Sequence, residues 1–219
     1  MKKIALLTLL LTAFSSHSQD DTYNKFSIEA AYGLSQPFSP KNNLVVSTGE
    51  NYDVKTFSGF RHFEIGGRYM MNQKYGVKLS YGFDKFQQED FSDLSVTNHK
   101  VGAEMVFNIS HLLNLKFTDR GILQVQTHTG FGITFSRPSS IDNTEHIGNF
   151  IIGMTPQIKI TDRIAIVTDL SYNFIFKQHY YYSGELIDPQ YESVTGSFMN
   201  ISLGLQFYLG RNEFHADWQ

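Results

Sequence analysis

Eight histidines, at positions 17, 62, 99, 111, 128, 146, 179 and 215, and the absence of cysteine bound the chemistry open to this chain. Without cysteine there is no disulfide, thiolate metal site, Cys nucleophile or lipid-anchored N-terminal cysteine. No two histidines stand at His-x-x-x-His spacing, which sets two ring nitrogens on one helix face for a metal. There is no Gly-x-Ser-x-Gly elbow and no phosphate-binding loop. One local set has the residue types for acyl transfer, namely His179, Ser183 and Glu185. A serine attacks only when a histidine takes its proton and a carboxylate orients that ring. These three lie in a polar, Tyr-rich segment that reads as loop, where sequence spacing fixes no such geometry. No catalytic, cofactor-binding or metal-ligating residue is assigned, and no cofactor is expected.

A second set of charges is more informative. Glu29, Glu64, Arg68, Lys78, Glu104, Asp169 and Lys177 each fall inside a segment of alternating apolar and polar residues, on the polar side of the alternation. His62 and His128 share that side. Successive side chains of a strand point to opposite faces, so period-2 alternation marks strands with one greasy and one polar face. The clearest case is Gly196 to Gly210, GSFMNISLGLQFYLG. Met199, Ile201, Leu203, Leu205, Phe207 and Leu209 alternate with Asn200, Ser202, Gly204, Gln206 and Tyr208. Seven further strands are expected over Lys25 to Leu34, Ser58 to Met71, Tyr75 to Phe86, His99 to Asn108, Ile122 to Phe135, Ile147 to Ile160 (interrupted at Pro156) and Arg163 to about Tyr180. Ile109 to Leu115 has room for one turn of helix. Long polar connections alternate with shorter ones, which predicts eight antiparallel strands joined in chain order.

Alternation alone does not say which face points inward. Eight strands enclose a lumen just wide enough for side chains, and the roughly forty Phe, Tyr, Leu, Ile and Met side chains of the apolar face would overfill it. The Gly, Ser, Ala, Asn and Gln of the other face fit. The apolar face therefore points outward, which is tenable only in lipid. The fold class is all-β, an eight-stranded antiparallel up-and-down transmembrane β-barrel. Charges on the inner face must pair, because an unpaired buried ion costs several kcal/mol. Glu29, Glu64, Arg68, Lys78, Glu104, Asp169 and Lys177 are accordingly read as a lumen charge network that plugs the barrel. Tyr69, Tyr75, Tyr172, Phe176, Tyr180 and Tyr208 are candidates for the aromatic belts where lipid meets water.

The low content of charged residues, 18%, and the 15% aromatic content suit such a surface. Lys2, Lys3, the apolar run Ile4 to Phe14 and Ser16-His17-Ser18 read as an export signal cleaved after Ser18. Removing Lys2 and Lys3 from 18 basic residues leaves 16 against 21 acidic ones, which gives no electrostatic footprint for nucleic acid. The expected organisation is a signal peptide over 1–18 and a barrel domain over 19–219. Within it the barrel spans about 24–210 and a short periplasmic tail 211–219. The expected location is the outer membrane.

The signal, the eight-strand meander and the ending FYLGRNEFHADWQ, Phe207 to Gln219, resemble the barrels of OmpA-type and OmpX-like porin-family proteins of Bacteroidetes-like bacteria. That resemblance implies a non-enzymatic outer-membrane barrel with external loops. The peptidoglycan-binding domain that follows the barrel in full-length OmpA-type members has no counterpart before Gln219, so cell-wall anchoring is not carried over. The expected partners are outer-membrane lipid and lipopolysaccharide, with protein partners at the loops Ser35–Thr56 and Tyr181–Thr195, and the expected state is a monomer. The competing readings are an accessory of a secretion or transport machine, a lipid A-modifying barrel enzyme and a soluble periplasmic ligand binder.

Overall fold

The computed structural model describes residues 23–40, 44–45, 51–52, 59–87, 94–115, 121–190 and 192–219. The expected signal peptide and most of the first loop lie outside these residues. Eight strands form the body: β1 Phe26–Ser39, β2 Gly59–Met70, β3 Tyr75–Gln87, β4 Ser95–Asn108, β5 Leu123–Pro138, β6 Glu145–Thr161, β7 Ile164–Gln178 and β8 Val194–Leu209. Each pairs antiparallel with its chain neighbours, and β1 pairs with β8, so the sheet closes into a barrel. A two-residue ribbon, Leu44–Val45 with Asn51–Tyr52, lies in the first loop. One turn of helix, α1 Ile109–Leu112, follows β4, capped by the Asn108 side chain accepting from the His111 N–H.

The eight expected strands are present in their expected phase, and the apolar face points outward. Leu79 and Phe131 are 67% exposed, and Leu203 is 62% exposed. Side chains this large are left uncovered around the whole circumference, as a bilayer requires. The inner face carries Ser27, Ser80, Asn98, Gln124, Asn149, Asn200 and Gln206, all buried. Gly33 shows how tightly the closing seam is drawn. A Cβ there would sit 2.0 Å from the Ile201 carbonyl oxygen of β8, so only glycine lets the two backbones approach this closely.

The strands differ from expectation at the loop end, where several run further. β1 continues from Leu34 to Ser39, β4 begins at Ser95 and β5 reaches Pro138. Polar residues there look like loop in sequence, yet the ladder continues past the apolar band. Pro37 is accommodated because it lies beyond Ser35–Gly59, the last β1–β2 pair, and faces β8 alone, leaving no ladder bond for a missing N–H to break on the other side. Pro156 does not interrupt β6. It pairs opposite Val125 of β5, while the β6–β7 pairing omits Thr155 and Pro156 and resumes without a shift in register.

Candidate functional site

The polar faces of all eight strands converge on one feature, a column of charges inside the barrel. At mid-depth Lys78 on β3 lies beside Arg68 on β2 in the cross-strand register. Two adjacent cations need separate counter-ions. The Lys78 Nζ donates to Glu64 Oε1 at 2.7 Å and pairs with Glu29 of β1. Arg68 instead turns toward the mouth opposite the long loops and donates to Asp217. Across the lumen His128 on β5 sits between two carboxylates, its Nδ1 2.5 Å from Glu104 Oε2 and its Nε2 3.0 Å from Asp169 Oδ2. Ser80 donates to Glu104 at 2.9 Å, and Thr155 and Ser171 donate to Asp169. Gly153 on β6 makes this possible, since a Cβ there would stand 2.2 Å from the His128 Nε2.

Toward the loops a second cluster forms around Asp84 of β3. It accepts from Ser35 at 2.5 Å and Asn200 at 2.8 Å, and His62 Nδ1 lies 2.8 Å away. Lys100 on β4 donates to Asn173 Oδ1 at 2.9 Å and lies 5.5 Å from the Phe198 ring centre. Of the seven residues expected in the lumen, the structure places Glu29, Glu64, Arg68, Lys78, Glu104 and Asp169 there. Lys177 is a correction. Its φ of 57° breaks the alternation of β7, so that Phe176 and Lys177 are both exposed while Gln178 turns inward. The β7–β8 register shifts at the same place, between Val194 and Gly196. Asp84 and Lys100 share the inward parity of the other charges, which was the signal available for them in sequence.

Both mouths are closed by apolar clusters. On the loop side Phe86, Ile147, Ile175 and Phe198 surround Tyr182, whose ring lies 4.6 Å from that of Phe86. Tyr182 belongs to the loop after β7, which turns back at Gly184 (φ 89°) and folds over the opening. Burial, and then the nearby Asp84, push the Tyr182 hydroxyl well above the usual tyrosine range. This corrects the expectation of an outward loop over its first residues, because Tyr180, Tyr182 and Ser183 are buried. The three residues of the acyl-transfer set lie in this segment. His179 pairs with Glu145 of β6, and the Ser183 hydroxyl accepts from the Glu185 N–H at 3.3 Å.

On the opposite side Met70, Val106 and Ala216 form the second cluster, with Tyr23 against it. Ala216 comes from the tail, which folds into the mouth. Asn24, just before β1, binds it, its backbone carbonyl accepting from the Ala216 N–H at 2.8 Å and its side-chain oxygen accepting from the Asn212 N–H at 2.9 Å. His111 of α1 lies 2.9 Å from the Asp217 carbonyl oxygen. Burial raises the affinity of the Asp217 carboxyl for a proton, but Arg68, then His215, outweigh it and hold this group well below the usual carboxylate range. Tyr208 packs against His215 with ring centres 4.4 Å apart and donates to Gln157 at 3.0 Å. Tyr208 is therefore inside the barrel, Tyr180 is buried in the loop after β7, and neither stands in an outward aromatic belt. Tyr75 and Phe176, by contrast, are outward and exposed.

Comparison with solved structures fits this geometry. Neisserial surface protein A aligns with a TM-score of 0.57 at 11% identity, over 84% of this chain and 97% of that one. A major outer membrane protein from Thermus thermophilus aligns at 0.54 and 12% identity, over 84% and 98%. The outer membrane protein OprG from Pseudomonas aeruginosa aligns at 0.50 and 12% identity, over 87% and 100%. The chain has the fold of an eight-stranded outer-membrane β-barrel. No protein-family model and no curated protein sequence matches it.

Proposed function

We propose that this protein is an integral outer-membrane barrel that performs no chemistry of its own and acts through its exterior, as a structural or partner-binding element of the envelope. The observation that carries this reading is a lumen filled by partnered charges and stoppered at both mouths, inside a wall whose outer face is apolar. Such an interior leaves no open site for a substrate, and such a wall has no stable place in water. The chain reaches the membrane after export directed by residues 1–18. Partners are met on the loop side, above all by the first loop, Ser35–Thr56.

The test is fractionation of cells making the protein, followed by electrophoresis with and without boiling. The expected result is recovery with outer membranes and a heat-modifiable band that migrates faster unboiled. Recovery as a soluble periplasmic protein would overturn the reading. An altered lipid A mass profile on deletion would replace it with an enzymatic one.

A further inference from the structure

On the loop side, just above the apolar band, the outward faces of four neighbouring strands carry polar groups in one cross-strand row. Lys85 on β3 is opposite Thr97 on β4, and Thr97 is opposite Arg137 on β5. His62 is opposite Asp84, so the next step toward the loops sets Arg61 on β2 beside Lys85. The row therefore reads Arg61, Lys85, Thr97, Arg137. Directly below it a second registered row reads Phe63, Phe83, His99, Phe135, His146. The His99 ring lies 5.3 Å from Phe83, and the His146 ring 5.2 Å from Phe135. Below that come Ile65, Tyr81, Val101 and Ile133 in register.

Like charges side by side across strands are destabilising, and this row places cations on three of four adjacent strands. Among the described residues, the contacts made there do little to offset that. Arg61 reaches the Gln87 carbonyl oxygen at 3.4 Å. Arg137 pairs with Asp142 at 3.0 Å, but the two side chains are 63% and 97% exposed, where an ion pair contributes little. Elsewhere on the loop-side rim Phe38, Phe174, Phe176 and Met199 leave Lys177 as the outward cation among the described residues of β1, β7 and β8. The charge is gathered on one side of the barrel.

We propose that this row is a seat for the phosphate of an anionic lipid in the loop-side leaflet, held against the wall of β2 to β5. The inference rests on the membrane-barrel reading. The vertical order of cation, aromatic ring and aliphatic side chain matches the order of phosphate, interface and acyl chain in a leaflet. Arginine and lysine are the side chains that bind phosphate through charge-assisted hydrogen bonds. The two rows beneath face the bilayer whatever binds above them, and a lipid phosphate is held at that place by its own acyl chains, so the lipid is the better fit.

The test uses the 19–219 chain refolded in detergent with phosphatidic acid or phosphatidylcholine, with retained lipid counted by native mass spectrometry. Wild type retains phosphatidic acid in preference to phosphatidylcholine. Lys85→Gln/Arg137→Gln weakens that retention about twentyfold, from the surface attraction of each cation for anionic lipid. Lys74→Gln/Arg211→Gln, an equal change of charge at the other end, leaves it within about twofold of wild type. Lys85→Arg retains the preference. Equal losses in both double variants, or no preference in wild type, overturn the proposal. Full displacement by millimolar inorganic phosphate assigns the row to a soluble anion and overturns the lipid assignment. Heat-modifiable migration of each variant separates failure of this site from failure of the barrel.

Discussion

Lys78 shows what a charge inside this wall demands. Its ammonium serves Glu29 and Glu64 together, so removing it leaves two carboxylates without their shared cation. Lys78→Met is expected to destabilise the barrel by about 3–5 kcal/mol, the cost of breaking a buried pair from one side. Urea unfolding in lipid vesicles, followed by the heat-modifiable band, measures it. Replacing both sides at once behaves differently, since two apolar side chains of similar volume leave no unpaired ion. Arg68→Met with Asp217→Leu is expected to cost less than the two single changes added together, and a double-mutant cycle reads the difference. A cycle with no coupling would show the pair to be independent. These charges were legible in sequence because inward parity exposes them, Lys177 excepted. Its parity was right for an unbroken strand, and a single left-handed residue is invisible to alternation. Pairing was not legible, because partners such as Arg68 and Asp217 are 149 positions apart.

The tail is the element that sequence reading placed outside the structure and the fold places inside it. The sequence gives a short polar segment after Gly210, with a single apolar-aromatic patch too brief to have a period. What captures it is tertiary: Asn24, Arg68, His111 and Tyr208 come from four other elements. Trp218 is the one tryptophan of the chain, and it packs edge-on to Tyr208 at 6.3 Å, so its emission reports docking. Asp217→Asn is expected to shift that emission toward the red and raise its quenching by iodide several-fold. Acidification should do the same. The Asp217 carboxyl is held lower in the docked tail than when free, so its contribution is fully present above the ordinary carboxylate range, near pH 4, and is lost as pH falls through and below it. Emission that is flat down to pH 5 and then changes is the expected profile. A transition between pH 6 and 8 would assign the docking to another group. The strands, by contrast, were legible nearly throughout, because an apolar face against lipid forces strict alternation. Their ends were not, because above the lipid both faces meet water and the period fades.

At the scale of the molecule, the barrel has two stoppers and one column between them. Reconstituted in planar bilayers, the wild type is expected to show no steady conductance. Deleting residues 211–219 should not open it, since Tyr182, Phe86 and Phe198 still close the loop side; a stable channel in that deletion would show the tail to be the sole seal. The column's polar filling also explains why volume decided the orientation of the wall from sequence alone, while the function of the exterior was not readable there. Loops carry no period, and partner chemistry lives in their shape. The clasp of Asn24 on Asn212 has a further consequence. It joins positions 188 apart, beside a seam between the first and last strands, whereas every other ladder joins chain neighbours. Loop closure over such a distance is the most demanding conformational search in the chain. The order of assembly follows: seven local ladders zip first, and the seam between the first and last strands closes last, with the clasp of Asn24 on Asn212 fastening beside it.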